Sequence, residues 1–314
     1  MRIGLIDIGS NTSKLLIAEK KHSIPRDPFF VLEQVSQPCR LLNFSPDHTD
    51  QIEDQECQRL LACLHDFKKT CSKHGVHRIK AVATEAFRKA ANAYTIRQKI
   101  KEEVGLEIEI LSGAEEAIGV TRGLQTDPQI KAWQNYVALD IGGGSIEVIE
   151  VVNQKANQVK SLPIGAVCVA HVNQVDLSSK ISNLVQTKAR KYIDEIIQAE
   201  LNSFTVQPIR LAATGGTIVF LRKIMETEGL LPKPGWIERA KLEEILQRAC
   251  AVSTAERVNL FPDLPPDRAD IFPFGLLAIL AIMEFLKVDH LIHSFHNLRY
   301  GLAHDFLDSL CPKS

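Results

Sequence analysis

One short pattern occurs twice in this chain: an apolar run that delivers an aspartate into a tight glycine turn. The first copy is DIGSNT at residues 7–12, and the second is DIGGGS at residues 140–145. The glycines and small hydroxyl residues of each copy allow backbone N–H groups to approach an anion closely. A carboxylate beside such a turn repels phosphate unless a divalent cation bridges the two. The repeat therefore predicts a duplicated fold that handles phosphate together with Mg²⁺.

The size and charge of the chain limit the classes of function. Its 314 residues, 45% of them hydrophobic, can fill the cores of two ordinary domains. The formal net charge is −1, whereas a general nucleic-acid binder normally carries a strong positive excess. We therefore expect no nucleic-acid polymer as a partner, and any bound polyanion must be held by a local basic cluster.

The cysteines and the apolar stretches indicate a cytoplasmic protein with no membrane partner. The seven cysteines are irregularly spaced and form no Cys-x-x-Cys pair, which favours reduced thiols over a zinc or redox site. Asp7 interrupts the first apolar run before it could act as a signal sequence. The longest apolar stretch, 271–286, contains Glu284 and is shorter than a membrane-spanning helix.

The order of predicted elements also repeats. In the first half, strands are predicted near 2–8, 13–20 and 29–35, a helix near 51–74, a strand at 78–83, a helix ending near 103, a strand at 107–111 and a helix from about 114. After a polar connection, strands are predicted near 136–141, 145–152 and 157–163, helices up to about 201, a strand at 209–213, and then helices with one strand near 288–294. This order predicts an α/β protein of two duplicated ribonuclease-H-like, or actin-like, domains with an interdomain cleft. We expect an N-terminal domain at 1–125 and a C-terminal domain at 126–314.

A third glycine turn, TGGT at 214–217, lies between the strand at 209–213 and a predicted helix. The N-terminus of a helix offers N–H groups and the positive end of the helix dipole to an anion. A glycine pair before a helix is also a common requirement of the turn itself, so this segment is informative mainly in combination with the other two loops.

Two further residues are candidates for chemistry. Glu115, in SGAEEA at 112–117, could accept a proton from an attacking water, although the helix dipole by itself favours a glutamate in a first helical turn. Arg88 follows the strand at 78–83 and could hold phosphate oxygens with two parallel hydrogen bonds, although a solvated arginine is the commoner case. His290, His293 and His296 suggest a metal site, but their spacing on a strand and loop favours structural roles.

Taken together, these segments resemble those of the exopolyphosphatase and guanosine pentaphosphate phosphohydrolase (Ppx/GppA) family, within the superfamily of actin, sugar kinases and heat-shock chaperone ATPases. The resemblance runs in order through DIGSN at 7–11, AT at 83–84 with Arg88 and Asn92, SGAEEA at 112–117, DIGGGSIE at 140–147, SLPIGAV at 161–167, TGGT at 214–217, RAD at 268–270 and RYG at 299–301.

The resemblance implies hydrolysis of the terminal phosphoryl group of inorganic polyphosphate or pppGpp with Mg²⁺, and it makes a homodimer plausible. It implies that the catalytic residues are Glu115 as the general base and Arg88, which neutralises phosphate charge. It also implies that Asp140 and Glu147 are metal ligands, with Asp7 assisting. The implied phosphate-binding residues are Gly9, Ser10, Asn11, Thr12, Gly142, Gly143, Gly144, Ser145, Gly215, Gly216, Thr217 and Arg268. Positioning and charge stabilisation supply most of the rate of such reactions.

Two positions depart from the family pattern. Ile146 replaces the usual threonine, and Cys168 stands where an arginine is common. Two other functions remain open: a small-molecule kinase or ATPase of the same fold, and a non-catalytic regulator that binds the alarmone. A kinase usually requires an aspartate base and an adenosine pocket, whereas Glu115 favours water as the acceptor.

Overall fold

The computed structural model describes residues 1–20, 29–41, 51–173, 176–204 and 210–310. The beginning of the strand predicted at 209–213 and Cys311 lie outside these ranges. The described chain forms two compact units, Met1–Lys131 with His296–Ser314, and Ala132–Phe295.

The first unit contains a mixed sheet with helices. Its elements are β1 (Arg2–Ile8), β2 (Thr12–Lys20), β3 (Phe29–Pro38), α1 (Asp54–Lys73), β4 (Arg78–Ala83), α2 (Glu85–Lys89), α3 (Ala93–Val104), β5 (Ile108–Ile110) and α4 (Gly113–Gln125). Strand β1 is buried on both faces because its apolar residues alternate between two clusters. Ile6 and Ile8 pack in a cluster with Phe67 of α1, whereas Ile3 and Leu5 pack in a separate one.

The second unit repeats this arrangement and extends it. Its elements are β6 (Tyr136–Ile141), β7 (Ile146–Val152), β8 (Lys155–Leu162), α5 (Ala166–Val172), α6 (Asn183–Leu201), β9 (Leu211–Gly215), α7 (Gly216–Thr227), β10 (Trp236–Glu238), α8 (Arg239–Cys250), α9 (Thr254–Leu260), α10 (Pro266–Ala269), α11 (Phe272–Phe285) and β11 (His290–His293). The final helix of the described chain is α12 (Leu298–Ser309).

The order of strands establishes the duplication. The first sheet has the order β3-β2-β1-β4-β5, and the second, taken from its opposite edge, has the order β8-β7-β6-β9-β11-β10. In both sheets the first strand lies between its antiparallel hairpin partner and a parallel strand. The predicted pair of ribonuclease-H-like folds is therefore confirmed, and β10 is an additional edge strand that the sequence did not predict.

Helix α12 packs in the first unit, although the sequence-based boundary at residue 126 assigns it to the second domain. Three glycines allow the close approach of α12 and its preceding turn to α4: a Cβ atom on Gly301 would overlap the carbonyl oxygen of Gly119, and one on Gly123 would overlap that of Asn297. Sequence periodicity predicts a helix here but does not indicate which sheet it covers.

The longest apolar segment of the sequence forms α11, which is part of the core of the second unit. This helix has 14 residues, whereas a membrane span needs about 20. In the described parts of the chain, no helix combines the length and the apolar character needed to cross a membrane.

Candidate active-site residues

In the first unit, the loop between β1 and β2 is held by the segment that follows β3. The N–H of Leu41 donates to the carbonyl oxygen of Ser10 at 2.7 Å, and that of Cys39 donates to the carbonyl oxygen of Asn11 at 2.9 Å. The N–H of Gly9 donates to the carbonyl oxygen of Thr12 at 3.2 Å. The Gly9 donor that the sequence assigns to phosphate therefore closes the turn itself.

The charges around this loop are mixed. Asp7 lies directly opposite Lys14 in the β1–β2 ladder. The Ser10 hydroxyl donates to Glu85 Oε2 at 3.4 Å, and Glu85 forms an ion pair with Lys89 at 2.6 Å. Two carboxylates therefore lie near the turn, so an anion approaching it requires compensating positive charge.

Arg299 anchors helix α12 to the sheet of the first unit. Its guanidinium is buried and donates to the carbonyl oxygen of Leu15 at 3.0 Å and to Gln34 Oε1 at 3.3 Å. Burial lowers the pKa of Arg299, and the charge of Asp7 partly opposes this shift. The side chain thus supports the strands that carry the loop, a role that the sequence did not assign.

The adjacent glutamates Glu115 and Glu116 differ sharply in their surroundings. Ser112 caps helix α4 through a capping box, in which Glu115 Oε2 accepts from the Ser112 N–H at 2.8 Å and from its hydroxyl at 2.7 Å. Both hydrogen bonds lower the pKa of the exposed Glu115 carboxyl, and the bond from the backbone N–H has the larger effect. The predicted base is therefore engaged at the helix N-terminus, where it is a weaker proton acceptor than an ordinary glutamate.

Glu116, in contrast, is only 7% exposed. Its Oε2 accepts from Arg88 Nη1 at 2.8 Å, and the same nitrogen donates to the carbonyl oxygen of Leu111 at 2.8 Å. Arg88 thus fixes the position of a buried carboxylate, which the sequence could not distinguish from its neighbour. The Arg88 side chain remains 25% exposed.

In the second unit, a row of polar side chains crosses three neighbouring strands. Asp140 of β6 lies directly opposite Glu147 of β7 and beside Thr214 of β9. Residues in register on neighbouring strands point to the same face of the sheet. A carboxylate oxygen of Asp140 and one of Glu147 lie within 4.8 Å of each other. Because like charges directly opposite each other destabilise a sheet, this pair suits a bound cation.

The Glu147 carboxylate is held in place by hydroxyl groups. Its Oε1 accepts from the Ser145 hydroxyl at 2.7 Å and from the Ser161 hydroxyl at 2.9 Å, and the residue is only 5% exposed. Ordered, hard oxygen donors of this kind are those that Mg²⁺ prefers. The donor set of Asp140 and Glu147 therefore fits the predicted metal.

The glycine loop after β6 is packed against the turn that follows β8. The N–H of Val167 donates to the carbonyl oxygen of Gly143 at 2.8 Å, and that of Gly142 donates to the carbonyl oxygen of Ser145 at 3.0 Å. A Cβ on Gly165 would lie 2.5 Å from the Gly144 carbonyl carbon. Gly165 is therefore needed for the close approach of two backbone segments, and the Gly142 donor is used within the loop.

The TGGT segment forms the predicted junction of strand and helix. Gly215 ends β9 with φ of 115°, and α7 begins at Gly216 with no acidic residue in its first turn. Gly215 lies beside Ile141 in the parallel β6–β9 ladder. The two loops of this unit therefore follow the C-terminal ends of neighbouring strands. A Cβ on Gly275 would lie 2.6 Å from Thr217 Oγ1, which indicates that α11 packs closely on the first turn of α7.

Arg268 lies on the short helix α10, where its side chain is 17% exposed and its Nε is 3.8 Å from Asp267. A neighbouring arginine, Arg257, is fully buried and donates to the carbonyl oxygens of Ala249 at 2.7 Å and Val252 at 3.0 Å. Arg257 therefore has a structural role between helices, whereas Arg268 stays a candidate for binding an anion.

A model of the Ppx/GppA phosphatase family matches residues 16–310. The chain belongs to this family. The predictions of the family, of its duplicated fold and of a phosphohydrolase are confirmed.

Solved structures agree on the fold. An exopolyphosphatase from Cytophaga hutchinsonii is 22% identical and has a TM-score of 0.86, with 100% of both chains covered. An exopolyphosphatase-like protein is 20% identical, with a TM-score of 0.85 and 99% of both chains covered. The Aquifex aeolicus Ppx/GppA family member is 24% identical, with a TM-score of 0.78 and 99% of both chains covered.

The two departures from the Ppx/GppA pattern have different surroundings. Ile146 is fully buried in the apolar cluster of the second unit, so it contributes packing at its position. The Cys168 sulfur lies 3.9 Å from the hydroxyl of Tyr192, which donates to the carbonyl oxygen of Pro163 at 3.0 Å. Cys168 therefore faces α6 and offers no cation there.

The three histidines have separate structural environments. His290 stacks on Trp236 with the ring centroids 3.7 Å apart, and His296 stacks on Tyr300 with centroids 4.1 Å apart. His293 is fully buried, and burial lowers its pKa to about 3. These contacts support the structural roles favoured by the sequence.

Proposed function

We propose that this chain releases the terminal phosphate of inorganic polyphosphate or pppGpp by Mg²⁺-assisted attack of water. One observation carries the proposal. Glu147, Asp140 and Thr214 form an in-register row across three neighbouring strands, at the end of the sheet where helix α7 begins. A pair of carboxylates and a helix N-terminus at the same end of a sheet suit a metal-bound polyphosphate tail.

Asp140 and Glu147 would hold the metal ion, and the assisting role of Asp7 stays a prediction of the sequence. When bound, Mg²⁺ neutralises the negative charge that develops on phosphate oxygens. The hydroxyls of Ser145 and Ser161 keep the Glu147 carboxylate oriented before the ion arrives.

The phosphate-binding groups are proposed to come from the three glycine loops and from cationic side chains. In the second unit, the first turn of α7 at Gly216 and Thr217 presents the positive end of the helix dipole. Three of the predicted glycines have roles in their own turns: Gly9, Gly142 and Gly215. The stronger candidates for direct contact with phosphate are therefore the other loop residues, Ser10, Asn11, Gly143, Gly144 and Ser145. Arg268 and the exposed part of Arg88 would add positive charge.

We propose that the general base comes from the adjacent pair Glu115 and Glu116, and that Glu116 is the stronger candidate. Burial strengthens the interaction of a carboxylate with a nearby water, and Arg88 fixes its position. The capping box supports a structural role for Glu115. Arg88 would then act as a positioning residue as well as a cation.

A phosphate-release assay tests the proposal. Short polyphosphate, long polyphosphate, pppGpp and ATP are compared at matched Mg²⁺ concentration. Release from polyphosphate or pppGpp supports the hydrolase, and strong preference for ATP would favour the kinase or ATPase alternative. Binding of pppGpp without release of phosphate would favour the non-catalytic regulator.

The exopolyphosphatase of Cytophaga hutchinsonii favours polyphosphate as the first substrate to test. Binding of the alarmone, a homodimer and a cytoplasmic location stay predictions.

A further inference from the structure

Arg40 adopts an unusual backbone conformation, with φ of +45°. The other non-glycine residues with positive φ in the described chain have ordinary explanations. Asn153 and Gln154 form the turn of the β7–β8 hairpin, and Lys287 follows the C-terminus of α11. Arg40 instead lies just beyond β3, beside the glycine loop of the first unit.

The left-handed conformation at Arg40 lets three consecutive backbone N–H groups, those of residues 39–41, donate to that loop. We call this set of hydrogen bonds the clamp. The N–H groups of Cys39 and Arg40 both donate to the carbonyl oxygen of Asn11, at 2.9 and 3.1 Å. The next N–H, that of Leu41, donates to the carbonyl oxygen of Ser10 at 2.7 Å. Cys39 and Leu41 are each 1% exposed, so buried side chains anchor the backbone on both sides of Arg40.

Glycine would form this clamp at the lowest steric cost, and asparagine at a small one. A long cationic side chain in a left-handed conformation is disfavoured, and such outliers concentrate at functional sites. Arg40 is exposed. Its charge offers an explanation for the choice of arginine, because Asp7 lies one residue before the end of β1 and the Glu85 carboxylate accepts from Ser10 of the same loop.

We propose that Arg40 binds a phosphate group of the substrate chain held at the Ser10–Asn11 loop. The inference rests on the proposed function and adds a residue that determines affinity for the substrate. The guanidinium supplies two parallel hydrogen bonds to phosphate oxygens, and its charge offsets the repulsion between phosphate and the carboxylates beside the loop. The rigid clamp keeps the origin of the side chain fixed, which reduces the entropy lost on binding.

The test compares Arg40→Asn, which tolerates a positive φ without the charge, with Arg40→Lys, which keeps the charge. Arg97→Asn, at an exposed arginine of helix α3, is the matched control. The measurements are KM and kcat for phosphate release, the direct affinity for polyphosphate, and the melting temperature. We expect Arg40→Asn to raise KM and weaken affinity by about fivefold or more, with kcat nearly unchanged, because one charge-assisted contact is lost.

Arg40→Lys should recover part of the loss, and the melting temperature of Arg40→Asn should stay at or above that of the wild type because the strain is relieved. A KM and a polyphosphate affinity within twofold of the wild type in Arg40→Asn would overturn the proposal. Equal losses in Arg40→Asn and Arg40→Lys, or in Arg97→Asn, would also overturn it. Absence of phosphate release from the wild-type chain would refute the proposed function instead, and the binding arm would still decide the role of Arg40.

Discussion

Arg88 Nη1 donates to the Oε2 atom of Glu116 at 2.8 Å, while the neighbouring Glu115 is committed to the cap of its own helix. This contrast assigns different roles to two adjacent glutamates. The Arg88–Glu116 pair is largely shielded from water, so its interaction is stronger than that of a surface ion pair.

We expect Glu116→Gln to lower kcat by at least about 100-fold, because a general base typically contributes this much. Glu115→Gln should retain most of the activity, since the glutamine can still accept a hydrogen bond from Ser112. Steady-state phosphate release, with circular dichroism to check folding, measures both variants. Loss of activity in Glu115→Gln with activity retained in Glu116→Gln would return the role of base to Glu115.

The capping box predicts a pH-dependent contribution to stability. Hydrogen bonds from Ser112 lower the pKa of Glu115 in the folded state below its ordinary value of 4.5. Its stabilising contribution is therefore complete above that value and is lost as the pH falls through the lower, folded-state pKa. Ser112→Ala should reduce the free energy of unfolding by about 1 kcal/mol at neutral pH, as measured by urea denaturation. Ser112→Ala removes the hydroxyl donor to Glu115 but keeps the backbone donor. The part of the difference that comes from the hydroxyl should therefore be lost in acid, and a constant difference would contradict this role.

Binding of Mg²⁺ to Asp140 and Glu147 should stabilise the folded protein, since a ligand that binds only the native state raises its melting temperature. Added Mg²⁺ should raise the melting temperature of the wild type and of the control Asp66→Asn, at an exposed position of α1. It should have little effect on Asp140→Asn or Glu147→Gln. Differential scanning calorimetry with and without EDTA measures the shift, and equal shifts in all four proteins would exclude this pair as the metal site.

The glycine pair before α7 offers two contrasting substitutions. Gly215→Ala should lower the free energy of unfolding by about 2 kcal/mol or more, because φ is 115° and a Cβ would overlap Ile141. No atom lies within 4 Å of a Cβ at Gly216, so Gly216→Ala should preserve or slightly increase stability. An increase in KM of Gly216→Ala without loss of stability would support phosphate binding at this helix N-terminus. Unchanged kinetics would place phosphate elsewhere.

The sequence predicted the duplicated fold because the two aspartate–glycine motifs lie at the ends of equivalent strands, β1 and β6. Asp7 and Asp140 both precede the last residue of a central strand, and local pattern was enough to find them. It missed β10, a strand of three residues whose pairing with β11 is a tertiary contact. It also could not place α12, because the close contact of Gly301 with α4 is invisible in hydrophobic periodicity.

The site was predicted less completely, because residue type does not reveal which groups already form hydrogen bonds within the protein. The sequence favoured Glu115, but burial and the contact with Arg88 distinguish Glu116. Likewise, Gly9 and Gly142 match a phosphate loop, yet their N–H groups close the turns. The backbone strain at Arg40 has no signal in the sequence.

The most direct test of the account is Mg²⁺-dependent phosphate release from polyphosphate and pppGpp by the wild type, Asp140→Asn and Asp66→Asn. We predict release by the wild type and by Asp66→Asn that stops when EDTA is added, and a loss of at least about 100-fold in Asp140→Asn. Wild-type rates in Asp140→Asn, or release that persists in EDTA, would contradict the proposed metal-assisted hydrolysis.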